Sequence, residues 1–224
     1  MPCLIKICGV TTEEIAVEAA TLGAGMIGFV FFPKSPRFID AEGAERIVTT
    51  VKWASEERGV APPQFAGLFV DGGEKALAEA APFLSHFQFH GHESPERCAA
   101  MGAEFGVDVI KAIAVGGPAD IAAAAEFAEG ADMLLFDGRA PKGAERPGGN
   151  AVAFDWRLVK AYAGETPFLL AGGLDAGSVA AAINAAKGSP AFVGVDVSSG
   201  VESAPGEKDA AKIAAFIAAA QKAF

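Results

Sequence analysis

Cysteine, histidine, tryptophan and tyrosine are scarce in this chain, at three, three, two and one among 224 residues. The cysteines, Cys3, Cys8 and Cys98, are odd in number and form no Cys-x-x-Cys pair, which leaves no basis for a disulfide framework or a zinc cluster. A reducing, intracellular setting is expected. No apolar run approaches bilayer-spanning length, and Met1 to Gly9 lacks the longer apolar stretch and small-residue cleavage site of a secretory signal. The expectation is a cytoplasmic protein with no membrane partner. Basic charge is in deficit: 18 Lys and Arg stand against 28 Asp and Glu, for a formal net charge of -10. A polyanion meets an unfavourable mean field, so no nucleic-acid partner is expected. A small anionic ligand would have to be held by local donors and dipoles against that field.

What is present is apolar sequence in short, regularly spaced runs. With 51% hydrophobic and 21% charged residues, the chain can bury one large core, and one domain over 1–224 is the economical reading. Runs rich in Ile, Val, Leu and Phe alternate with Ala- and Glu-rich segments of helical period, the pattern of a parallel sheet covered by helices. The runs are Leu4 to Cys8, Met26 to Phe31, Gln64 to Val70, His86 to His90, Asp108 to Ala114, Met133 to Asp137, Phe168 to Ala171 and Phe192 to Val197. Helices are expected over Thr12 to Leu22, Ala41 to Ala54, Gly73 to Ala81, Pro95 to Met101, Pro118 to Glu129, Phe154 to Tyr162, Ala176 to Lys187 and Glu207 to Ala223. Ser94-Pro95-Glu96 and Asp175 supply helix start signals. Eight strand-helix units in this length match a (β/α)8 TIM barrel, although a doubly wound open sheet uses a similar alternation. No longer repeat is evident. The stretch Asp137 to Asn150 is the longest candidate loop and follows the sixth run, where a barrel enzyme places function.

Several residues at the carboxyl ends of these runs carry chemistry. Lys6 and Cys8 share a face of the first strand, so a cation stands beside a thiol. Cys8 reads either as a small buried hydrophobe or, if a cation lowers its pKa, as a base or nucleophile. Asp137 reads either as the cap of its loop, with Gly138 beside it, or as an acid opposite Cys8. Asp71, before Gly72-Gly73, is better read as a turn residue. Ala171-Gly172-Gly173 and Ser198-Ser199-Gly200 follow the seventh and eighth strands, the recurrent phosphate site of barrels, where glycine lets backbone amides approach an anion. Together they predict a phosphorylated ligand, with Asp196 placed to meet a sugar hydroxyl or amine. Arg37 offers a planar fork for a carboxylate, or else a surface ion pair. His86, Gln88 and His90 share a strand face without a carboxylate or cysteine partner, so no metal is expected and His90 is read as a substrate hydrogen-bonder.

Taken together, Lys6-Ile-Cys-Gly-Val-Thr11, Ser35-Pro-Arg37, Gln88-Phe-His-Gly91, Leu134-Leu-Phe-Asp137, Phe154-Asp-Trp156, Ala171-Gly-Gly-Leu174, Gly194-Val-Asp-Val-Ser-Ser-Gly-Val-Glu202 and Gly206-Glu-Lys-Asp209 resemble phosphoribosylanthranilate isomerase over nearly the whole chain. The resemblance implies Cys8 as general base, Asp137 as general acid and Arg37 as the holder of the anthranilate carboxylate. It puts His90 and Asp196 near the substrate and Gly172, Gly173, Ser199 and Gly200 in the phosphate loops, with no cofactor. It also implies an Amadori rearrangement of N-(5-phosphoribosyl)anthranilate, for which the acid needs a raised pKa and the base a lowered one. One departure stands out: Gly148-Gly149-Asn150-Ala151 replaces the family's usual Gly-Gly-Thr-Gly or Gly-Gly-Ser-Gly run, and Ala153 precedes Phe154. The runners-up are another phosphate-binding barrel, such as an indole-glycerol-phosphate synthase or a sugar-phosphate epimerase, and a catalytically silent barrel. A monomer is expected over a homodimer, although exposed and interfacial helix stripes look alike in sequence.

Overall fold

The computed structural model describes residues 3–140, 143 and 153–224. Eight parallel strands close into a barrel in chain order: β1 (Leu4–Cys8), β2 (Met26–Val30), β3 (Gln64–Phe69), β4 (His86–Phe89), β5 (Asp108–Val115), β6 (Met133–Gly138), β7 (Phe168–Leu170) and β8 (Phe192–Val197). Pairing of β1 with β8 completes the ring, so the alternation belongs to a barrel and not to an open sheet. The outer helices are α1 (Glu13–Thr21), α2 (Ala41–Glu57), α3 (Glu74–Ala80), α4 (Pro95–Phe105), α5 (Pro118–Ala123), α6 (Val179–Ala186) and α7 (Ala210–Ala223).

Because side chains alternate across a strand, the barrel has two cores. The larger lies between strands and helices and joins Ile5, Ile7, Phe29, Phe65 and Phe87 to Ile47, Leu77, Met101 and Ile183. The smaller fills the interior with Met26, Ala66, Ile110, Ala112, Leu135, Leu169 and Ala171. Burial of each large aliphatic or aromatic side chain contributes about 1.5–3 kcal/mol. The inner plug is therefore a packed floor, above which the polar residues of the carboxyl ends stand.

Four helical expectations are corrected. The segment after the sixth strand is a 3-10 helix over Trp156–Ala161, where Asp155 accepts from the Arg157 N–H, and not an α-helix over Phe154 to Tyr162. After α5 the chain tightens into 3-10 geometry at Ala124–Phe127, so the expected Pro118 to Glu129 helix is split. The terminal helix starts at Ala210, not Glu207, because Asp209 caps it by accepting from the Lys212 N–H. Glu207 and Lys208 instead form β10 (Glu207–Lys208), which pairs antiparallel with β9 (Glu202–Ala204). Asp175 does not cap a helix from Ala176 as expected: it accepts from the Gly177 and Ser178 N–H groups in a turn that precedes the helix, and α6 starts at Val179 with Ser178 as its N-cap.

Candidate active site

Lys6 and Cys8 point inward from β1. Register pairs Lys6 with Asp196 and Cys8 with Gly28. Lys6 is fully buried, and its Nζ donates to Asp196 Oδ1 at 2.7 Å. Burial opposes its charge, but Asp196 and Cys8 keep it protonated above its ordinary range. A side chain at position 28 would press on Cys8 Sγ and Lys6 Nζ, so glycine on β2 provides the space in which cation and thiol stand together. The expected depression of the Cys8 pKa is not what folding produces. Burial raises it above its ordinary 9.0 and Asp196 adds to the rise, while Lys6 and Lys208 pull the other way. The cation foreseen in the sequence is present, but its charge is shared with Asp196 and desolvation outweighs it.

Asp137 enters from β6, three strands from β1 around the closed ring, and so faces Cys8 across the mouth. Its Oδ1 accepts the Gly138 N–H at 2.8 Å, and its Oδ2 lies 3.5 Å from His90 Nε2. Burial and the Asp196 charge push its pKa up to about 7, against the Gly138 N–H and Lys6. A carboxyl that keeps its proton near neutrality can serve as a general acid. His90 is buried, and burial together with Lys111 and Lys6 lowers its pKa to about 4, leaving a neutral ring.

Arg37 does not form the surface ion pair that was one of its two sequence readings. It is buried rather than superficial, and Glu202 accepts from its Nε at 2.6 Å and its Nη2 at 2.8 Å. Lys208, a half-buried residue whose side chain is enclosed, donates to Glu202 at 2.7 Å and to the Ser198 carbonyl at 3.0 Å. Burial opposes ionisation of Glu202, yet Arg37 and Lys208 hold its carboxyl below the usual range. The Arg37 stem lies against Gly9, which has a φ of 76° and no room for a side chain. The arginine is thereby fixed against Gly9 with its Nη1 edge not engaged by Glu202.

The two glycine loops form one surface. Gly172 and Gly173 have φ values of 85° and 65°, the left-handed region that favours glycine. A methyl group at position 200 would overlap the Leu174 carbonyl, so the loop after β8 rests directly on the loop after β7. Ser199 opens the short 3-10 turn Ser199–Val201 there. Ala153 packs on Gly173, whereas Gly148-Gly149-Asn150-Ala151 lies outside the described residues. Asp71 is the turn residue expected: its φ is 49°, and it accepts from the His92 N–H at 2.7 Å. His86 contacts Ser85 and Asp108 at the amino end of β4, away from this mouth.

Residues 5–219 match the model of the family described as N-(5'phosphoribosyl)anthranilate (PRA) isomerase. The chain belongs to that family. It is 47% identical to N-(5'-phosphoribosyl)anthranilate isomerase of Rhodospirillum rubrum, with 98% of each chain covered. It is 44% identical to the Rhodopseudomonas palustris (strain TIE-1) protein of the same name over the full length of both. The solved Thermotoga maritima phosphoribosyl anthranilate isomerase superposes with a TM-score of 0.80 at 33% identity, covering 98% of this chain and 99% of that one. Another family structure, solved with reduced 1-(o-carboxyphenylamino)-1-deoxyribulose 5-phosphate, gives a TM-score of 0.77 at 32% identity, with 98% and 99% covered. The family motifs thus converge on one end of the barrel. Lys208 and Glu202 lay within the motifs noted in the sequence, but charged residues near a terminus ordinarily face solvent, and nothing local marks them as buried. The Glu93–Lys111 pair, buried at 2.8 Å, was also missed. Glu93 additionally accepts from the Asp71 and Gly91 N–H groups and so ties the turn after His90 to β5.

Proposed function

We propose that this chain converts N-(5'-phosphoribosyl)anthranilate into 1-(2-carboxyphenylamino)-1-deoxyribulose 5-phosphate, the Amadori step of tryptophan biosynthesis, with Asp137 as general acid and Cys8 as general base. The observation that carries the reading is Asp137, a half-buried carboxyl whose pKa is pushed up to about 7, across the barrel mouth from Cys8, the thiol of β1. Its proton goes to the ribose ring oxygen as the C1–O bond breaks and the Schiff base forms. Cys8, as thiolate, then takes the C2 proton, and the electron pair moves into the new C1–C2 double bond of the enolamine. Tautomerisation gives the ketone. Only protons and electron pairs within the substrate move, so the reaction calls for no redox partner.

Gly172, Gly173, Ser199 and Gly200 hold the phosphate on backbone amides and a hydroxyl, Arg37 holds the anthranilate carboxylate through Nη1, and His90 and Asp196 contact the sugar. Anchors at both ends orient the ribose between acid and base. These cations and dipoles act at hydrogen-bonding range, which offsets the repulsion of a chain with net charge -10. We place the protein in the cytoplasm, as one domain and as a monomer; among the described residues no helix is long and apolar enough to cross a membrane. The test is loss of substrate fluorescence with freshly generated phosphoribosylanthranilate, Cys8→Ser being run in parallel. Rapid loss in the parent that vanishes in the variant is expected. Parental loss no faster than the spontaneous rate, in folded protein, would refute the activity.

A further inference from the structure

Gln88 and His90 alternate on β4 and turn into the barrel on one face, and Gln88 has no role in the steps above. Gln88 is buried, with its Nε2 3.4 Å from His90 Nδ1. The opposite edge of the same ring places Nε2 3.5 Å from Asp137 Oδ2. An amide NH2 only donates, so Nδ1 accepts, and the single proton of the neutral imidazole sits on Nε2, the ring edge 3.5 Å from Asp137 Oδ2. Among the described residues Gln88 Oε1 finds no partner, and it is the NH2 end of the amide that stands against Nδ1.

We propose that Gln88 is a positioning residue for the acid: by donating to Nδ1 it selects the tautomer of His90 whose Nε2–H faces the Asp137 carboxyl. This rests on the reading of Asp137 as proton donor. Once that proton has left, the carboxylate is buried close to Asp196, and the Nε2–H is the donor placed to stabilise it. The other groups facing Asp137 are Lys6 from β1, Asp196 from β8 and the Gly138 N–H of its own strand. Those facing His90 are Lys6 and Lys111, from β1 and β5, and among the described residues Gln88 alone bonds Nδ1. Burial, with Lys111 and Lys6, keeps the ring neutral, while Gln88 sets which nitrogen carries the proton.

The decisive measurement is nitrogen NMR of protein labelled in its three histidines, on the parent, Gln88→Leu and Gln88→Glu, beside pH profiles of kcat/KM. His90 is expected as the Nε2–H tautomer in the parent, as a mixture in Gln88→Leu, and as the Nδ1–H tautomer in Gln88→Glu, whose carboxylate accepts. Loss of a donor to the carboxylate raises the Asp137 pKa, so in Gln88→Leu the limb of the profile near pH 7 moves up by about half a unit or more. The kcat of that variant falls about tenfold while KM stays within about twofold. An Nδ1–H ring in the parent overturns the proposal without any variant having to fold. So does a folded Gln88→Leu protein that keeps both the Nε2–H ring and the parental limb. A parent without isomerase activity, whose ring is Nε2–H and changes in Gln88→Leu, would refute the catalytic reading and uphold the control of the ring by Gln88.

Discussion

Asp137 shows how a residue is made functional at the expense of stability. Its pKa in the fold is about 7, against an ordinary 3.8. Because the folded value is the higher, the native state holds the proton more tightly than the unfolded chain. Its contribution to stability is fully present below pH 3.8 and is lost as pH rises from 3.8 through about 7. Asp137→Asn removes the buried charge, so at pH 8 it is expected to be more stable than the parent by roughly 1–3 kcal/mol while losing turnover. Denaturant unfolding at pH 8 and pH 5 tests this, with the gap narrowing at the lower pH. A variant less stable than the parent at pH 8 would mean that the carboxylate is already compensated. The same ionisation governs kinetics. With Cys8 held above 9.0 and Asp137 at about 7, the pair of protonated acid and thiolate base is a minor species between those values. A plot of kcat/KM against pH should therefore show one limb near 7 and one above 9, and a single limb near 4 would remove Asp137 from the role.

At the scale of elements, β2 and the β9–β10 hairpin shape the mouth without contributing acid or base. Gly28 leaves β2 flat where Cys8 and Lys6 stand, with 3.0 and 3.1 Å to their Sγ and Nζ from a Cβ built there. Gly28→Ala should lower kcat about tenfold while moving the melting midpoint by only a few degrees, since the neighbours need shift by tenths of an ångström. Unchanged turnover would show that the position of Cys8 has slack. The hairpin brings Glu202 and Lys208 to Arg37, which makes a three-membered buried ion network. Glu202→Ala leaves Arg37 and Lys208 buried without their shared anion, at a cost of about 3–5 kcal/mol. The expected signature is a lowered melting temperature with KM raised more than kcat is reduced, and a variant of parental stability and KM would show that Arg37 is held by other contacts.

The whole molecule is an acidic barrel whose large exposed apolar side chains, among the described residues, are Phe38, Trp53, Val60 and Phe224. They lie on separate segments of the chain. Sedimentation at micromolar concentration is expected to give the 22.8 kDa monomer, and a stable species of twice that mass would refute it. Alternating apolar runs determined where the strands lie along the chain, and Cys8, Asp137, His90 and the two glycine loops could be placed at strand carboxyl ends from a few adjacent residues, while the pairing of β1 with β8 decided the ring. The helix after β6 and the start of α7 were not legible, since local capping by Asp155 and Asp209 decided between near-equal backbone states. Only the closed barrel could decide that Arg37 is buried on Glu202, that Lys208 reaches the site, and that Cys8 is raised rather than lowered. Each of these depends on partners far apart in sequence and on desolvation. Desolvation belongs to the packed interior and to no single segment of the chain.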